Sequence, residues 1–82
     1  MRSQMITVYS KDNCKFCEMT KTLLTSKGID FTENKLGKEI TREEFMEQFP
    51  NIRTMPAIFI DGEYIGGYTN IVEWVDQYHD EL

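Results

Sequence analysis

Two cysteines at close spacing are the residues of this chain best suited to covalent chemistry. Cys14 and Cys17 are its only cysteines, and Lys15 and Phe16 separate them. Thiol-disulfide exchange needs a thiolate that attacks one sulfur of a disulfide, and then a second thiol that attacks the resulting mixed disulfide. A disulfide across so short a loop constrains the unfolded chain little and would be a poor structural crosslink. The spacing therefore favours a redox or a metal-binding role.

The residues that follow the first cysteine predict that the pair opens a helix. Apolar residues recur at helical spacing from Cys14, and the pattern stops at Gly28, which can adopt the left-handed conformation of a C-terminal cap. The N–H groups and positive dipole end of a helix N-terminus stabilise a thiolate, and Lys11 and Lys15 add positive charge. We therefore predict that the pKa of the Cys14 thiol lies below its usual value of about 8.5. Cys17, one turn further on, would be the more shielded, resolving thiol.

Zinc binding is the alternative use of a cysteine pair at this spacing. A structural zinc site normally needs four ligands. Beyond the two cysteines the chain offers only His79, and it has no second C-x-x-C. We therefore expect no metal site.

Alternating and apolar segments predict four strands, over residues 5–10, 29–34, 56–60 and 63–65. The last two are separated by Asp61-Gly62, a strong signal for a tight hairpin. The first two are separated by the predicted helix, so they should be parallel, whereas the hairpin strands should be antiparallel.

Helix start and stop signals predict two further helices. Thr41 and Glu44 form a capping-box pattern, and Pro50 ends the segment that follows. Asn70 and Glu73 offer a similar arrangement at the start of the last helix. The predicted apolar faces of these two helices comprise Phe45, Met46 and Phe49 in the first, and Ile71, Val72, Trp74, Val75 and Tyr78 in the second.

The elements in order give a β-α-β-α-β-β-α chain of the α/β class. We predict a four-stranded mixed sheet with three helices distributed over both of its faces. With 82 residues, the chain has room for one core, so we expect one domain over residues 1–82.

Charge and hydropathy exclude several classes of protein. The net charge of −5 argues against nucleic-acid binding, which normally needs a basic stripe. Met1–Gln4 lead directly into the first predicted strand, without an apolar run long enough for a signal peptide or a membrane span. We therefore expect a cytoplasmic protein that binds neither nucleic acid nor membrane.

Three separated motifs occur in order along the chain. They are Tyr9–Cys17, a strand end with a lysine and the cysteine loop; Arg53–Ile60, with a threonine, an apolar residue and a proline before a strand; and Ile65–Tyr68, with paired glycines before the last helix. Together they resemble a dithiol glutaredoxin of the thioredoxin-like superfamily, and the resemblance covers nearly the whole chain.

The resemblance implies a thioredoxin-like fold and an enzyme that uses glutathione to reduce protein disulfides and glutathione mixed disulfides. Cys14 would be the nucleophile and Cys17 the resolving cysteine. Pro56 would follow a cis peptide bond, and Met55 would offer its backbone N–H and C=O groups to the bound peptide. Lys11 would meet a carboxylate of glutathione. The other glutathione-binding residues that the resemblance implies are Phe16, Arg53, Thr54, Gly67, Tyr68, Thr69 and Asn70.

Two departures from the family pattern keep other functions open. Lys15-Phe16 stands where proline-tyrosine is usual, and Thr69-Asn70 stands where acidic residues often receive the γ-glutamyl end of glutathione. One alternative is an electron donor to ribonucleotide reductase that is itself reduced by thioredoxin reductase. Another is a binding module in which two chains share an iron-sulfur cluster, although the bulky, charged Lys15 disfavours it. For the leading function we expect a monomer.

Overall fold

The computed structural model describes residues 5–80 and shows seven elements in the predicted order. The strands are β1 (Ile6–Ser10), β2 (Thr32–Lys35), β3 (Ala57–Ile60) and β4 (Glu63–Gly66). The helices are α1 (Lys15–Ser26), α2 (Arg42–Gln48) and α3 (Tyr68–Asp80). The four strands form one mixed sheet in the order β2-β1-β3-β4.

The pairing of the strands confirms the predicted directions. β1 and β2 are parallel, with Val8 opposite Glu33, and β3 and β4 are antiparallel. β1 also pairs antiparallel with β3, with Val8 opposite Ile58. β1 and β3 therefore form the centre of the sheet, and the loops that follow β1 and precede β3 lie at the same end of it.

The predicted hairpin turn and the predicted helix cap are both present. Asp61 and Gly62 both have positive φ angles, 53° and 85°, as the mirror-image turn of a hairpin requires. At the end of α1, Gly28 has φ 71° and its N–H donates to the carbonyl of Thr25, while Ile29 N–H donates to Leu24. These two bonds form a Schellman cap, which confirms the predicted end of the helix.

The second strand and the last helix begin elsewhere than predicted. Ile29 was expected to open the second strand, but its N–H is used in the α1 cap, so β2 begins only at Thr32. Asn70 was expected to precede the last helix, but α3 already begins at Tyr68. Gly67, just before α3, donates its N–H to the Asn70 side chain, which therefore acts from inside the first turn.

A hydrophobic layer on each face of the sheet confirms that helices cover both sides. The layer under α1 and α3 has a buried core of Ile6, Val8, Leu24, Ile58, Ile60, Ile71 and Val75. The opposite layer has Phe45, Ala57 and Phe59 at its centre, with Tyr9 and Phe49 packed against them. The structure does not describe the side chain of Tyr78, which was predicted to lie on the apolar face of α3.

Helix α2 is short and only partly apolar. Its predicted capping box is present, since Thr41 Oγ1 accepts the N–H of Glu44 at 3.0 Å and Glu44 accepts the N–H of Thr41 at 2.9 Å. Phe45 is buried as predicted, but the prediction for Met46 is wrong, because 52% of it is exposed. Met46 follows Phe45 directly, and adjacent positions on a helix do not share a face.

An ion-paired glutamate ties β2 to β1 and α1. Glu33 accepts a hydrogen bond from the buried Ser10 hydroxyl at 2.6 Å and one from the Lys21 ammonium at 3.0 Å. The Ser10 hydrogen bond, followed by that of Lys21, holds the pKa of Glu33 below its ordinary value, although burial opposes the shift. The charged form of Glu33 is therefore the one that the fold favours.

We expect Glu33→Gln to lower the free energy of unfolding by about 1 kcal/mol at neutral pH, because a charge-assisted hydrogen bond becomes a neutral one. Because the pKa of Glu33 is lower in the native state than in the unfolded chain, its ionised form stabilises the fold at pH values above the ordinary glutamate pKa of about 4.3. This stabilisation is lost as the pH falls through the pKa that Glu33 has in the native state. Urea unfolding should therefore show a smaller difference between wild type and variant at about pH 3 than at pH 7. Glu63→Gln, at an exposed carboxylate, is the control; an equal effect of both variants would contradict the prediction.

Candidate active site

Cys14 and Cys17 form a disulfide at the start of α1. Cys14 is the residue just before the first helical turn, and its Cα lies 5.2 Å from that of Cys17. The N–H of Cys17 points at the Cys14 sulfur, with 3.2 Å between nitrogen and sulfur. Cys14 is half-buried, whereas Cys17 is completely buried. Only the first sulfur is therefore open to an incoming thiol, as the predicted division of roles requires.

The loop before Cys14 is held in place by a turn and an ion pair. Asn13 has φ 56°, a left-handed conformation that asparagine tolerates better than most residues. Asp12 contacts the Lys35 ammonium at 2.9 Å, and this hydrogen bond lowers the pKa of the Asp12 carboxyl. The loop that carries the reactive cysteine is thus linked to the end of β2.

A second loop, just before β3, lies against the cysteines. The Met55-Pro56 peptide bond is cis, as the resemblance implied. The carbonyl oxygen of Met55 lies 3.8 Å from the Cys14 sulfur. Because Met55 precedes β3, its backbone is presented next to the disulfide by the central part of the sheet.

A groove of about 180 Å³ runs beside these two loops. At one side the ring of Phe16 packs on that of Tyr68, with 5.6 Å between ring centroids, and half of Phe16 remains exposed. The pair joins the cysteine loop to the start of α3. The lining residues of the groove are Phe16, Thr54, Met55, Pro56, Gly67, Tyr68 and Thr69, all of them predicted site residues.

The other three predicted binding residues lie outside this groove. Lys11 and Arg53 line a neighbouring pocket on the α2 side, which shares Met55 with the groove. Asn70 uses its side-chain oxygen to accept the Gly67 N–H at 3.1 Å. The sequence did not single out Arg42, which also lines the α2-side pocket; its only signal is its position next to the capping residue Thr41.

Comparison with known proteins agrees with this arrangement. The family model described as Glutaredoxin matches residues 6–65, a range that contains both cysteines and the cis-proline loop. The chain belongs to the glutaredoxin family. Family membership, together with the Cys14-Cys17 pair, makes this chain a thiol-disulfide oxidoreductase.

Individual glutaredoxins are similar in sequence and in fold. Glutaredoxin 3 of Escherichia coli is 37% identical over 62 residues, covering 76% of this chain and 75% of that protein. The structure of glutaredoxin 1 from Francisella tularensis, complexed with cacodylate, has a TM-score of 0.77 at 23% identity and covers 95% and 99% of the two chains. A buckwheat glutaredoxin-glutathione complex has a TM-score of 0.71 at 26% identity, with coverage of 88% and 68%. These likenesses confirm the predicted thioredoxin-like fold.

Neither a metal cluster nor a membrane-spanning helix is found within residues 5–80 of this glutaredoxin. No group of three or more His, Cys, Asp or Glu residues in that part of the chain is placed to hold a metal ion. The structure does not describe the side chain of His79, the further candidate zinc ligand in the sequence. None of the described helices is both long enough and apolar enough to cross a bilayer.

The position of Cys14 predicts a reactive thiolate in the reduced glutaredoxin. The Cys17 N–H and the helix N-terminus both favour negative charge on the Cys14 sulfur. Iodoacetamide alkylation, followed residue by residue by mass spectrometry, should give Cys14 a midpoint below about pH 8.5. Lys15→Gln serves to separate the contribution of the lysine from that of the helix. A midpoint at or above the ordinary value would contradict the prediction.

The hydrogen bond of Asn70 predicts a structural role for this residue. Asn70→Ala removes the acceptor for the Gly67 N–H at the start of α3, which should lower the stability by about 1 kcal/mol. For a domain of this size that corresponds to a fall of roughly 4–8 °C in Tm. Thr69→Ala, at the neighbouring exposed position without such a bond, should change Tm little. Equal Tm values for the two variants would overturn the assignment.

Proposed function

We propose that this glutaredoxin takes its electrons from glutathione and reduces glutathione mixed disulfides and protein disulfides in the cytoplasm. The observation that carries the proposal is the groove beside Cys14, which is bordered by the Met55 backbone, the Phe16-Tyr68 ring pair and the start of α3. A small peptide with a sulfur at its centre fits such a groove, because its backbone can pair with Met55 while its sulfur reaches Cys14.

The proposed reaction begins with the Cys14 thiolate. It attacks the glutathione sulfur of a mixed disulfide, the substrate leaves as a thiolate that takes up a proton, and Cys14 becomes bonded to glutathione. A second glutathione thiolate then attacks the glutathione sulfur that is bonded to Cys14. This step releases glutathione disulfide and restores the Cys14 thiolate. With a protein disulfide, Cys17 attacks the mixed disulfide instead, and the resulting Cys14-Cys17 disulfide is reduced by two molecules of glutathione.

Charged groups around the groove support an anionic ligand such as glutathione. Lys11 and Arg53 are exposed and lie on the α2 side of Met55, where they would bind one carboxylate. Thr69 lies at the opposite end, in the first turn of α3, where a helix N-terminus favours a second carboxylate. The buckwheat protein solved with glutathione supports the same ligand class for this family.

The test is a coupled assay in which glutathione and glutathione reductase supply electrons and a glutathione mixed disulfide is the substrate. Saturable turnover that depends on glutathione is the expected result. Lys11→Gln with Arg53→Gln should raise KM for the mixed disulfide roughly thirtyfold, since each charge-assisted contact contributes about 1 kcal/mol. Reduction by thioredoxin reductase with no turnover on glutathione would reject the proposal.

The start of α3 favours one second candidate. The Asn70 oxygen is engaged by the Gly67 N–H, so neither group is free for the γ-glutamyl end of glutathione. Weak glutathione binding would suit an electron donor that is reduced by a flavoprotein reductase and delivers electrons to an enzyme such as ribonucleotide reductase. Measuring NADPH oxidation with thioredoxin reductase and no glutathione tests this candidate; complete inactivity there, with rapid reduction by glutathione, eliminates it.

A further inference from the structure

The side of the sheet that α1 covers holds polar residues beside the buried cysteine. Cys17 shares one face of α1 with Thr20 and Leu24, and all three are fully buried. Leu24 belongs to the core layer that also contains Val8 of β1. Ser10, the last residue of β1, alternates onto the same face as Val8 and is 1% exposed. Cys17 and Ser10 therefore border the same layer, at the end of the sheet that carries the reactive loop.

The buried hydroxyl groups of this layer donate their hydrogens away from Cys17. Among the described side chains, Ser10 and Thr20 are the buried polar ones. The Thr20 hydroxyl donates to the Phe16 carbonyl at 2.8 Å, and the Ser10 hydroxyl donates to the Glu33 carboxylate at 2.6 Å. Each oxygen is left with lone pairs only, so it can accept a further hydrogen bond but not donate one. Such a hydroxyl favours the protonated form of a neighbouring thiol over its thiolate.

The charged residues that reach this layer come from α1 and β2. Glu33 lies opposite Val8 in the parallel pair of strands, so its side chain is on the α1 side of the sheet. Lys21 lies one helical turn after Cys17. Its ammonium contacts Glu33 at 3.0 Å and Glu18 at 3.1 Å. Two carboxylates thus share one ammonium, which leaves one negative charge uncompensated.

Elsewhere in the described chain, the charges close to this layer are paired or exposed. Lys35, at the end of β2, is paired with Asp12 of the reactive loop. From α3 the titratable group packed against the layer is the Tyr68 phenol, whereas Glu73 and Asp76 are exposed. The uncompensated charge on the α1 side is therefore negative, and it opposes a second negative charge on a sulfur in the same layer.

We propose that Ser10 and Glu33 keep the reduced Cys17 as a protonated thiol at neutral pH, so that Cys14 alone is the thiolate of the pair. Burial of the sulfur, an accepting hydroxyl and uncompensated negative charge all act in this direction. The helix N-terminus favours the thiolate of Cys14 instead, because the Cys17 N–H is directed at the Cys14 sulfur. Glu33 acts through Ser10 and is therefore a positioning residue.

The inference goes beyond the roles already given to the two cysteines, because it assigns a function to residues outside the groove. Lys21 and the Ser10 hydroxyl hold Glu33 in its ionised form, so the arrangement persists through the neutral pH range. It concerns the dithiol chemistry of the pair and does not depend on which thiol supplies the electrons.

A protonated Cys17 sets the order of the reaction. Once Cys14 has formed a mixed disulfide, Cys17 loses its proton to solvent and its sulfur bonds to the Cys14 sulfur. The substrate sulfur leaves with the electron pair of the broken bond and takes up a proton. Because the thiolate fraction of Cys17 is small near neutral pH, this step is slow. A thiol from solution therefore has time to reach the mixed disulfide before the Cys14-Cys17 disulfide closes.

The experiment follows the two sulfurs separately with a dipyridyl disulfide, whose thiopyridone product absorbs in the near ultraviolet. Reduced protein is mixed with an equal amount of the reagent in a stopped-flow instrument. Attack by Cys14 releases the first thiopyridone, and attack by Cys17 on the mixed disulfide releases the second. The rate of the second phase as a function of pH gives the pKa of the Cys17 thiol, with no glutathione present.

For the wild type we expect the second phase to accelerate with pH up to a midpoint above the ordinary cysteine value of about 8.5. Glu33→Gln removes the negative charge and should lower this midpoint by about one unit, which makes closure near neutral pH up to about tenfold faster. Ser10→Ala, which removes the accepting hydroxyl, should shift it in the same direction. The first phase should stay within about twofold of wild type in both variants. Glu63→Gln, at an exposed carboxylate on β4, should change neither phase.

Lys21→Gln is the matched variant, because it breaks the same ion pair but removes the positive charge. It should raise the midpoint of the second phase and slow closure near neutral pH, the opposite of Glu33→Gln. Both variants lose the contact between Lys21 and Glu33. A merely structural role of this contact would therefore move both midpoints in the same direction.

Three results would overturn the inference. They are a wild-type midpoint at or below about pH 8.5, a Glu33→Gln midpoint equal to that of the wild type, and shifts of Glu33→Gln and Lys21→Gln in the same direction. The proposed function fails separately, if glutathione supports no turnover, and that failure would leave the rates measured here unchanged.

Discussion

Replacing Cys14 with serine is expected to lower disulfide reduction at least about 1,000-fold, because the hydroxyl that replaces the thiol does not ionise near neutral pH and is not a nucleophile toward disulfides. Cys14 is the half-exposed member of the pair, and Cys17 is completely buried, so no other sulfur can take over the attack. The measurement is the rate of reduction of a mixed disulfide under saturating reductant.

The same variant separates loss of chemistry from loss of fold. Serine is a favoured residue just before a helix, where its oxygen accepts a backbone N–H as the Cys14 sulfur does from Cys17. Thermal unfolding of Cys14→Ser should therefore match or slightly exceed that of the reduced wild type. An inactive variant with unchanged Tm supports the assignment, and a variant that keeps more than about a tenth of the wild-type rate contradicts it.

Elements with strong local signals are those that sequence reasoning places correctly. The Asp61-Gly62 turn, the Gly28 cap and the Thr41-Glu44 capping box are each formed by contacts within a few residues. The order of strands and helices follows from these signals together with hydrophobic spacing. The same kind of local signal, apolar spacing that begins at Cys14 and ends at Gly28, is sufficient to place the cysteine pair at a helix start.

Two element boundaries are not placed in this way, although the contacts that set them are also local. Ile29 looks like a strand residue, but the cap of α1 uses its N–H. Asn70 carries the right side chain for a cap, but it acts on Gly67 from inside the helix. Neither outcome is visible from residue types alone, because each depends on which backbone group the fold leaves unpaired.

The binding residues show a different limit, which is set by packing between distant parts of the chain. The resemblance implies that Lys11 and Phe16 both contact glutathione, whereas the structure separates them into the pocket on the α2 side and the groove, on the two sides of Met55. Arg42 was missed, since only the packing of α2 against the loop before β3 brings it to the pocket that Lys11 lines.

The buried position of Cys17 leads to the second large effect. Cys17→Ser should leave the reduction of glutathione mixed disulfides within about tenfold of wild type, because glutathione from solution can resolve the intermediate on Cys14. The reduction of a protein disulfide should fall at least about 100-fold, since the substrate's own second thiol stays close and attacks back. Only an intramolecular thiol competes with that reversal.

A single-turnover experiment tests this without assuming any particular reductant. Pre-reduced protein is mixed with an equal amount of a peptide that contains one internal disulfide, and the products are trapped with acid and weighed by mass spectrometry. The wild type should release the dithiol peptide and end with the Cys14-Cys17 disulfide that the structure shows. Cys17→Ser should stop at the mixed disulfide between Cys14 and the peptide. Full release of dithiol peptide by Cys17→Ser would mean that the second cysteine does not resolve the intermediate, and that its burial beneath Cys14 serves only the packing of α1.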